Sequence, residues 1–310
     1  MKATLNRILP FASLICLFLL LSFASPYFLT LGNLSSVIRQ TTVITIMAIG
    51  MTVVIASGGI DLSVGSMVGL TGICGTMLIA GGHSAALAVA AAMAAGAVCG
   101  AFNGSAATLL RIPPFIATLG AMGIYRGLTL LATGGMPVAN LSRDFGALAT
   151  GNLLGYIPVP LVFLLVAALA VHVVLRFTKL GRYAYAIGSN TEAARCSGIR
   201  VAPYTVAIYT LGGALVGLAG MIESARLVTG QPTAGEGYEL RVIAAVVIGG
   251  GSLNGGQGTV AGTIVGALIM GLLSNGCNLL GISPFVQQVI IGSVIILAVT
   301  LDEFQRRRMR

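Results

Sequence analysis

Read from its amino end, the chain alternates long apolar runs with short polar interruptions. The runs fall at residues 9–29, 37–56, 62–80, 85–109, 114–133, 157–177, 204–225, 239–249, 259–277 and 284–301. Most approach the ~20 residues that carry an α-helix across a ~30 Å hydrocarbon core. None alternates with period two, so the segments are helices rather than barrel strands. The pattern predicts an all-α, polytopic membrane bundle of about ten transmembrane helices, some broken, with residues 1–310 forming a single transmembrane domain.

The interruptions are informative in themselves. Gly58 and Gly59 before Asp61, and Gly250 in a Gly-rich run before Asn254, break helices next to a polar side chain, and such a break at membrane depth needs protein or water around it. These sites are candidate hinges or gates; Asp61 serves equally well as a cap for the helix that follows. The stretches Gly58-Gly59-Ile60-Asp61-Leu62-Ser63-Val64-Gly65 and Gly249-Gly250-Gly251-Ser252-Leu253-Asn254-Gly255-Gly256 agree at four of eight positions, which reads as a duplicated unit around 37–133 and 204–301 or as chance similarity between Gly-rich strings. The eighth run is the weakest: its apolar part, 242–248, is short for a crossing and is compatible with a re-entrant loop. Crossing as a broken helix keeps the terminal basic cluster Arg306–Arg310 on the inner side, and is preferred on that ground. Four-residue spacing of Gly96, Gly100 and Gly104, and of Gly258, Gly262 and Gly266, predicts close helix contacts.

Composition agrees with the pattern: apolar residues are 56 % and charged residues 8 %, against ~25 % charge in soluble domains. The net charge of +9 does not point to nucleic acid. With both termini inside, the inner segments hold Lys2, Arg7, Arg111, Arg176, Lys179, Arg182, Arg195, Arg200, Arg306, Arg307, Arg308 and Arg310, 12 of the 17 basic residues, as the positive-inside rule requires. Arg39, Arg143, Arg226 and Arg241 fall outside. The amino end reads as an uncleaved first span, with a cleavable signal segment ending near Ser22-Phe23-Ala24 as the rival. Cys16, Cys74, Cys99, Cys196 and Cys277 lack paired spacing and read as small apolar residues or free thiols, and no metal-ligand spacing occurs.

Few polar groups lie inside the runs. Arg126, deep in the fifth, must face the interior or a cavity, or snorkel outward. Glu223 and Arg226 are spaced for a local ion pair. Asn275 and Asn278 share a face of the ninth span, with Gln287 just beyond; these line a solute exit or hydrogen-bond between helices. Arg126, Asn275, Asn278 and Gln287 are therefore the candidate substrate-path residues. There is no phosphate-binding loop, no proton-relay chain and no nucleophile–base set. A transporter is the natural class, driven by energy from elsewhere.

One basic loop, 178–203, stands out. Within it Asn190 is a good N-cap, Glu192 sits in the first helical turn where the dipole favours an anion, and Gly198 terminates the helix. A helix of about two turns is too short to stand alone in water, so it reads as a docking element for a second protein or as an ordinary loop helix.

The string Glu192-Ala193-Ala194-x3-Gly198 resembles the cytoplasmic signature of ABC importer permeases. Gly59-Ile60-Asp61-Leu62-Ser63-x-Gly65, Ile112-Pro113-Pro114-Phe115-Ile116-Ala117-Thr118-Leu119-Gly120, Gly181-Arg182-Tyr183-Ala184-Tyr185-Ala186-Ile187-Gly188, Gln231-Pro232-Thr233-Ala234-Gly235-Glu236-Gly237-Tyr238-Glu239-Leu240 and Gly276-Cys277-Asn278-Leu279-Leu280-Gly281-Ile282-Ser283-Pro284-Phe285 are similar to the ribose-type sugar permeases. The resemblance covers most of the chain, from Asn33 to Leu301. It implies a multi-pass permease of a bacterial inner membrane, paired with a second permease subunit, an ABC ATPase subunit inside and a periplasmic sugar-binding protein outside. The chain itself would bind no cofactor, ATP and Mg belonging to the ATPase. Glu192, Ala193, Ala194 and Gly198 would form the coupling helix, with Asn190, Thr191 and Arg195 completing it. A branched-chain amino-acid permease shares the architecture; an ion-coupled carrier or channel would instead need Arg126, Glu223 or Asp61 as coupling groups.

Overall fold

The structure, a computed structural model, describes residues 2–307, with side chains at 10–142 and 144–300. Arg308 and Arg310 of the terminal basic cluster lie outside the described residues, as do the side chains of Lys2, Arg7, Arg143, Arg306 and Arg307. The elements run α1 (Lys2–Ala24), α2 (Leu31–Ala56), α3 (Val64–Ala80), α4 (Ala85–Leu109), α5 (Pro114–Thr133), α6 (Arg143–Thr150), β1 (Asn152–Leu153), β2 (Ile157–Pro158), α7 (Val159–Phe177), α8 (Lys179–Ser189), α9 (Thr191–Cys196), α10 (Val201–Leu227), α11 (Tyr238–Ile248), α12 (Val260–Leu279) and α13 (Pro284–Arg307). Side chains of Thr30, Ser84, Ser142, Thr178, Asn190 and Thr259 each accept from the backbone N–H three residues on, so helix starts follow the caps in the sequence.

Six helices, α2, α4, α5, α7, α10 and α12, are long and apolar enough to cross a membrane, and shorter apolar helical stretches occur at Pro10–Ala24, Val64–Ala80 and Pro284–Thr300. Helices α2 and α10 form the centre: 78 % and 67 % of their apolar windows are buried, against 22 % for α5. A helix apolar all round belongs in such a centre. Helix α10 lies directly on α4, where a Cβ on Gly96 would collide with the Gly213 carbonyl and one on Gly217 with that of Ala92. Without a hydrophobic drive between helices in lipid, this backbone proximity supplies the packing. Helix α1 packs on α12 through Leu21 and Leu272.

Two segments that read as polar linkers are folded. Helix α6 buries Phe145 and Ala149, with Leu141 buried just before its cap, and packs on α10 and α7. Its carboxyl end is held by Arg39, whose Nη1 donates to the Ala149 carbonyl at 2.5 Å and whose Nη2 donates to Asn152 Oδ1 at 2.7 Å. The 178–203 loop holds two helices rather than one. In α8, Leu180, Ala184 and Ile187 recur at helical spacing and face the bundle.

The eighth run has its own solution. Helix α11, with 11 residues, spans only about 16 Å, half of a hydrocarbon core. The other half is non-helical. From the end of α10 the chain descends along α3: Gly230 lies against Thr76 and Ile73, Pro232 and Ala234 against Gly69, and Gly235 against Gly65. These contacts run over twelve residues of α3, Gly65 to Thr76, about 16 Å along its axis. An unwound stretch, 229–237, thus leads into the half-helix α11.

Candidate functional site

Helix α9 is built as its sequence requires. Asn190 Oδ1 accepts from the Ala193 N–H at 2.9 Å, and Thr191 Oγ1 donates to the Ile187 carbonyl at 3.0 Å. Gly198, at φ +81°, ends the helix: its N–H donates to Arg195 at 2.9 Å, and that of Ile199 to Ala194 at 3.1 Å. Ala194 is buried, whereas Glu192, Ala193 and Arg195 are exposed. Glu192 and Arg195 pair at 2.6 Å with most of both side chains in solvent. One alanine anchors α9, and its outer face is free.

Helix α8, which α9 contacts, rests on the helix breaks. Gly188, at the end of α8, sits against the Ala56 carbonyl, Gly58 and the Gly255–Gly256 backbone, where no larger residue fits. The Gly256 N–H donates to the Ala56 carbonyl at 2.9 Å, and Tyr185 Oη donates to the Gly258 carbonyl at 2.7 Å. The α2–α3 break, the α11–α12 break and the α8–α9 pair thus meet at one junction. Both breaks close identically. Gly58 and Gly250 have φ of +81° and +86°; Gly59 donates to Val54 and Gly251 to Val246 at 3.1 and 2.8 Å. The left-handed partner of Gly58 is thus Gly250, one residue beyond the Gly249 that the sequence match pairs with it. Asn254 is exposed, and its N–H donates to Ser252 Oγ at 3.2 Å.

Asp61 is buried beyond the first break. Its Oδ1 accepts from the Ser63 N–H at 2.9 Å and the Ser63 hydroxyl at 2.6 Å, and its Oδ2 from Asn103 Nδ2 at 3.1 Å. Tyr125 Oη donates to Asn103 Oδ1 at 2.8 Å, while Thr118 and Tyr209 both reach the Ile60 carbonyl. The break is therefore fastened to α4, α5 and α10. Sequence reasoning missed Asn103, although a lone amide in the apolar run of α4 was the available signal. Between this break and α9 opens a cavity of about 800 Å³, bordered by Ser57, Thr108, Arg111, Thr191, Arg195 and Tyr209.

The candidate path residues are not brought together. Asn275 and Asn33 exchange reciprocal amide hydrogen bonds at 2.8 and 3.2 Å, joining α12 to α2. Asn278 is exposed and Gln287 buried on α13. Arg126 turns inward: its Nη1 donates to the Pro232 carbonyl and its Nη2 to that of Ala234 at 3.0 Å, with Glu236 and Glu239 in electrostatic range. The predicted Glu223–Arg226 pair forms at 2.7 Å, and Tyr238 Oη donates to Glu223 at 3.0 Å. Together with a backbone bridge between Val138 and Gly230, these contacts fasten the unwound stretch at three points.

Residues 33–299 match the family described as branched-chain amino acid transport system / permease component. The chain is 46 % identical to the ribose import permease protein of Escherichia coli, over 97 % of this chain and 95 % of that protein. It is 45 % identical to the ribose import permease protein of Bacillus subtilis, over 96 % and 93 % of the two chains. To the D-allose transport system permease protein of Escherichia coli it is 36 % identical, over 91 % and 86 %. No solved structure matches the chain. A bundle whose broken helices converge on a short capped helix, matched over nearly its whole length by permeases, belongs to this family of transport-system permease components.

Proposed function

We propose that the chain is the membrane-spanning subunit of an ATP-driven (ABC) importer for a sugar. The solute arrives from a periplasmic binding protein and passes by alternating access, while a separate ATPase subunit docks on α9 and carries ATP and Mg; this chain binds no cofactor. Two permease subunits, identical or different, enclose the path in a bacterial inner membrane, with both termini cytoplasmic and the first span retained. The whole chain acts as one domain, with repeat units around 37–133 and 204–301.

The observation that carries this reading is the junction at Gly188. A load on the exposed face of α9 passes through Ala194 and α8 to both helix breaks at once. The candidate coupling residues are Asn190, Thr191, Glu192, Ala193, Ala194, Arg195 and Gly198. Arg126 and Glu223, which an ion-coupled carrier would need free, are engaged by internal partners. The relatives are permeases for ribose and allose, which favours a sugar over the amino acid in the family's description.

The test is Gly198→Leu. A leucine at φ +81° costs about 1–2 kcal/mol, enough to remodel the end of α9 without disturbing the bundle. Sugar uptake and sugar-stimulated ATP hydrolysis are expected to fall while membrane insertion persists; unchanged uptake would overturn the docking role. Competition of pentoses, hexoses and leucine for uptake separates the sugar reading from the amino-acid one.

A further inference from the structure

The Gln231–Leu240 string belongs to the family pattern, yet docking on α9 gives it no task. The structure lays its first seven residues, 231–237, alongside the apolar helix α3 and outside any regular helix. Thr233 and Glu236 are exposed, and Gln231 and Glu239 are half-buried. The Gln231 amide donates to Thr233 Oγ1 at 3.1 Å, so hydroxyl, amide and carboxylate share one short stretch. Beneath it, Arg126 takes two of its carbonyls from the protein side.

Lipid cannot cover such a surface. A carboxylate facing hydrocarbon costs several kcal/mol, and irregular backbone at membrane depth is tolerated only inside protein or along water. The neighbouring face of α5 is different: Ile116, Leu119, Ile124, Leu128 and Leu131 are exposed and uniformly apolar, as a lipid-facing surface is. We infer that residues 231–237 line the hydrated solute path, that Gln231, Thr233 and Glu236 form its contact surface for a neutral polyhydroxylated solute, and that Arg126 is the positioning residue that holds this surface open. Side-chain donors and acceptors on a stretch without its own helical bonds suit a ligand made of hydroxyl groups. This deepens the importer reading and rests on it for the identity of the solute.

The experiment uses the full chain with its partners in native membranes. A parent with all five cysteines replaced, and with ATPase-dependent uptake intact, receives Thr233→Cys, Glu236→Cys or the lipid-facing control Leu128→Cys. The probe is a small charged thiosulfonate. Because carrying charge into hydrocarbon costs several kcal/mol, the two path positions should react at least about 10-fold faster than the control, and modification should block uptake. Equal rates at all three positions would overturn the inference. So would rapid cross-linking of Thr233→Cys between two copies with protection from the probe, since that outcome places the segment in a subunit interface. If the parent imports solute but both positions stay unreactive, this inference fails and the importer reading stands. If both positions react but uptake by the natural chain, assayed alongside, does not depend on the ATPase, the segment is wet and the importer reading fails.

Discussion

The inner junction and the unwound stretch are both interruptions of membrane helices, but they are held by different means. At the junction, Gly58 and Gly250 close their helices with bonds to residues three to five positions back, and Gly188 fits between the two breaks because it has no side chain. The stretch 229–237 starts from a similar closure, Thr229 donating to Ser224 at 3.1 Å, and contains one turn, Ala234 donating to Gln231 at 3.0 Å, but local bonds are not all that holds it. A guanidinium from α5, a tyrosine–carboxylate contact and a bridge to Val138 hold it from a distance. The first arrangement resists through lack of space and the second through specific polar bonds. A hinge that must transmit a push is suited to the first, and a wall facing solute to the second.

The contrast can be broken one region at a time. Arg126→Met should be the most damaging change, because it leaves two carbonyls unsatisfied at membrane depth, each worth about 1–3 kcal/mol. A drop in thermal stability of the detergent-purified chain, with faster proteolysis in 229–237, is the expected result; a stability equal to the parent's would show that the stretch holds itself. Gly188→Val overfills the junction and should cost about 1–3 kcal/mol. Here the informative measurement is coupling: ATP hydrolysis should no longer respond to solute, even in preparations that remain folded. The smallest effect belongs to Arg195→Ala, since an exposed ion pair contributes about 0–1 kcal/mol. Stability should be unchanged, so any loss of ATPase affinity measured by co-purification would report docking alone.

These differences also explain what could be read in advance. The spans were legible because apolar runs of membrane length have few other outcomes, and α9 because Asn190 and Gly198 are local signals. Helix α6 was not read, although Ser142 as a cap and Leu141, Phe145 and Ala149 at four-residue spacing were local signals, because eight residues form a stable helix only when packed, here on α10. Arg126 was recognised as costly, but its partners lie 106 and 108 residues away, and no local pattern encodes that distance. The same holds for Asn275, whose amide is taken up by Asn33, 242 positions earlier. Asn103 had a visible signal in its isolation, but its place beside Asp61 depends on how α4 crosses the first break.

The unwound stretch also bears on how the chain is assembled. A segment that begins outside any regular helix and continues as an eleven-residue helix carrying Glu239 and Arg241 offers the insertion machinery only half a span. Its Pro232 and Ala234 carbonyls find donors only after α5 has delivered Arg126 and α3 has supplied Gly65 and Gly69 to lie against. Helix α11 packs on α12, its neighbour in sequence, whereas the stretch before it depends on partners far earlier in the chain. The order in which the ribosome supplies these helices, α3 and α5 well before residue 229, is the order that this stretch needs.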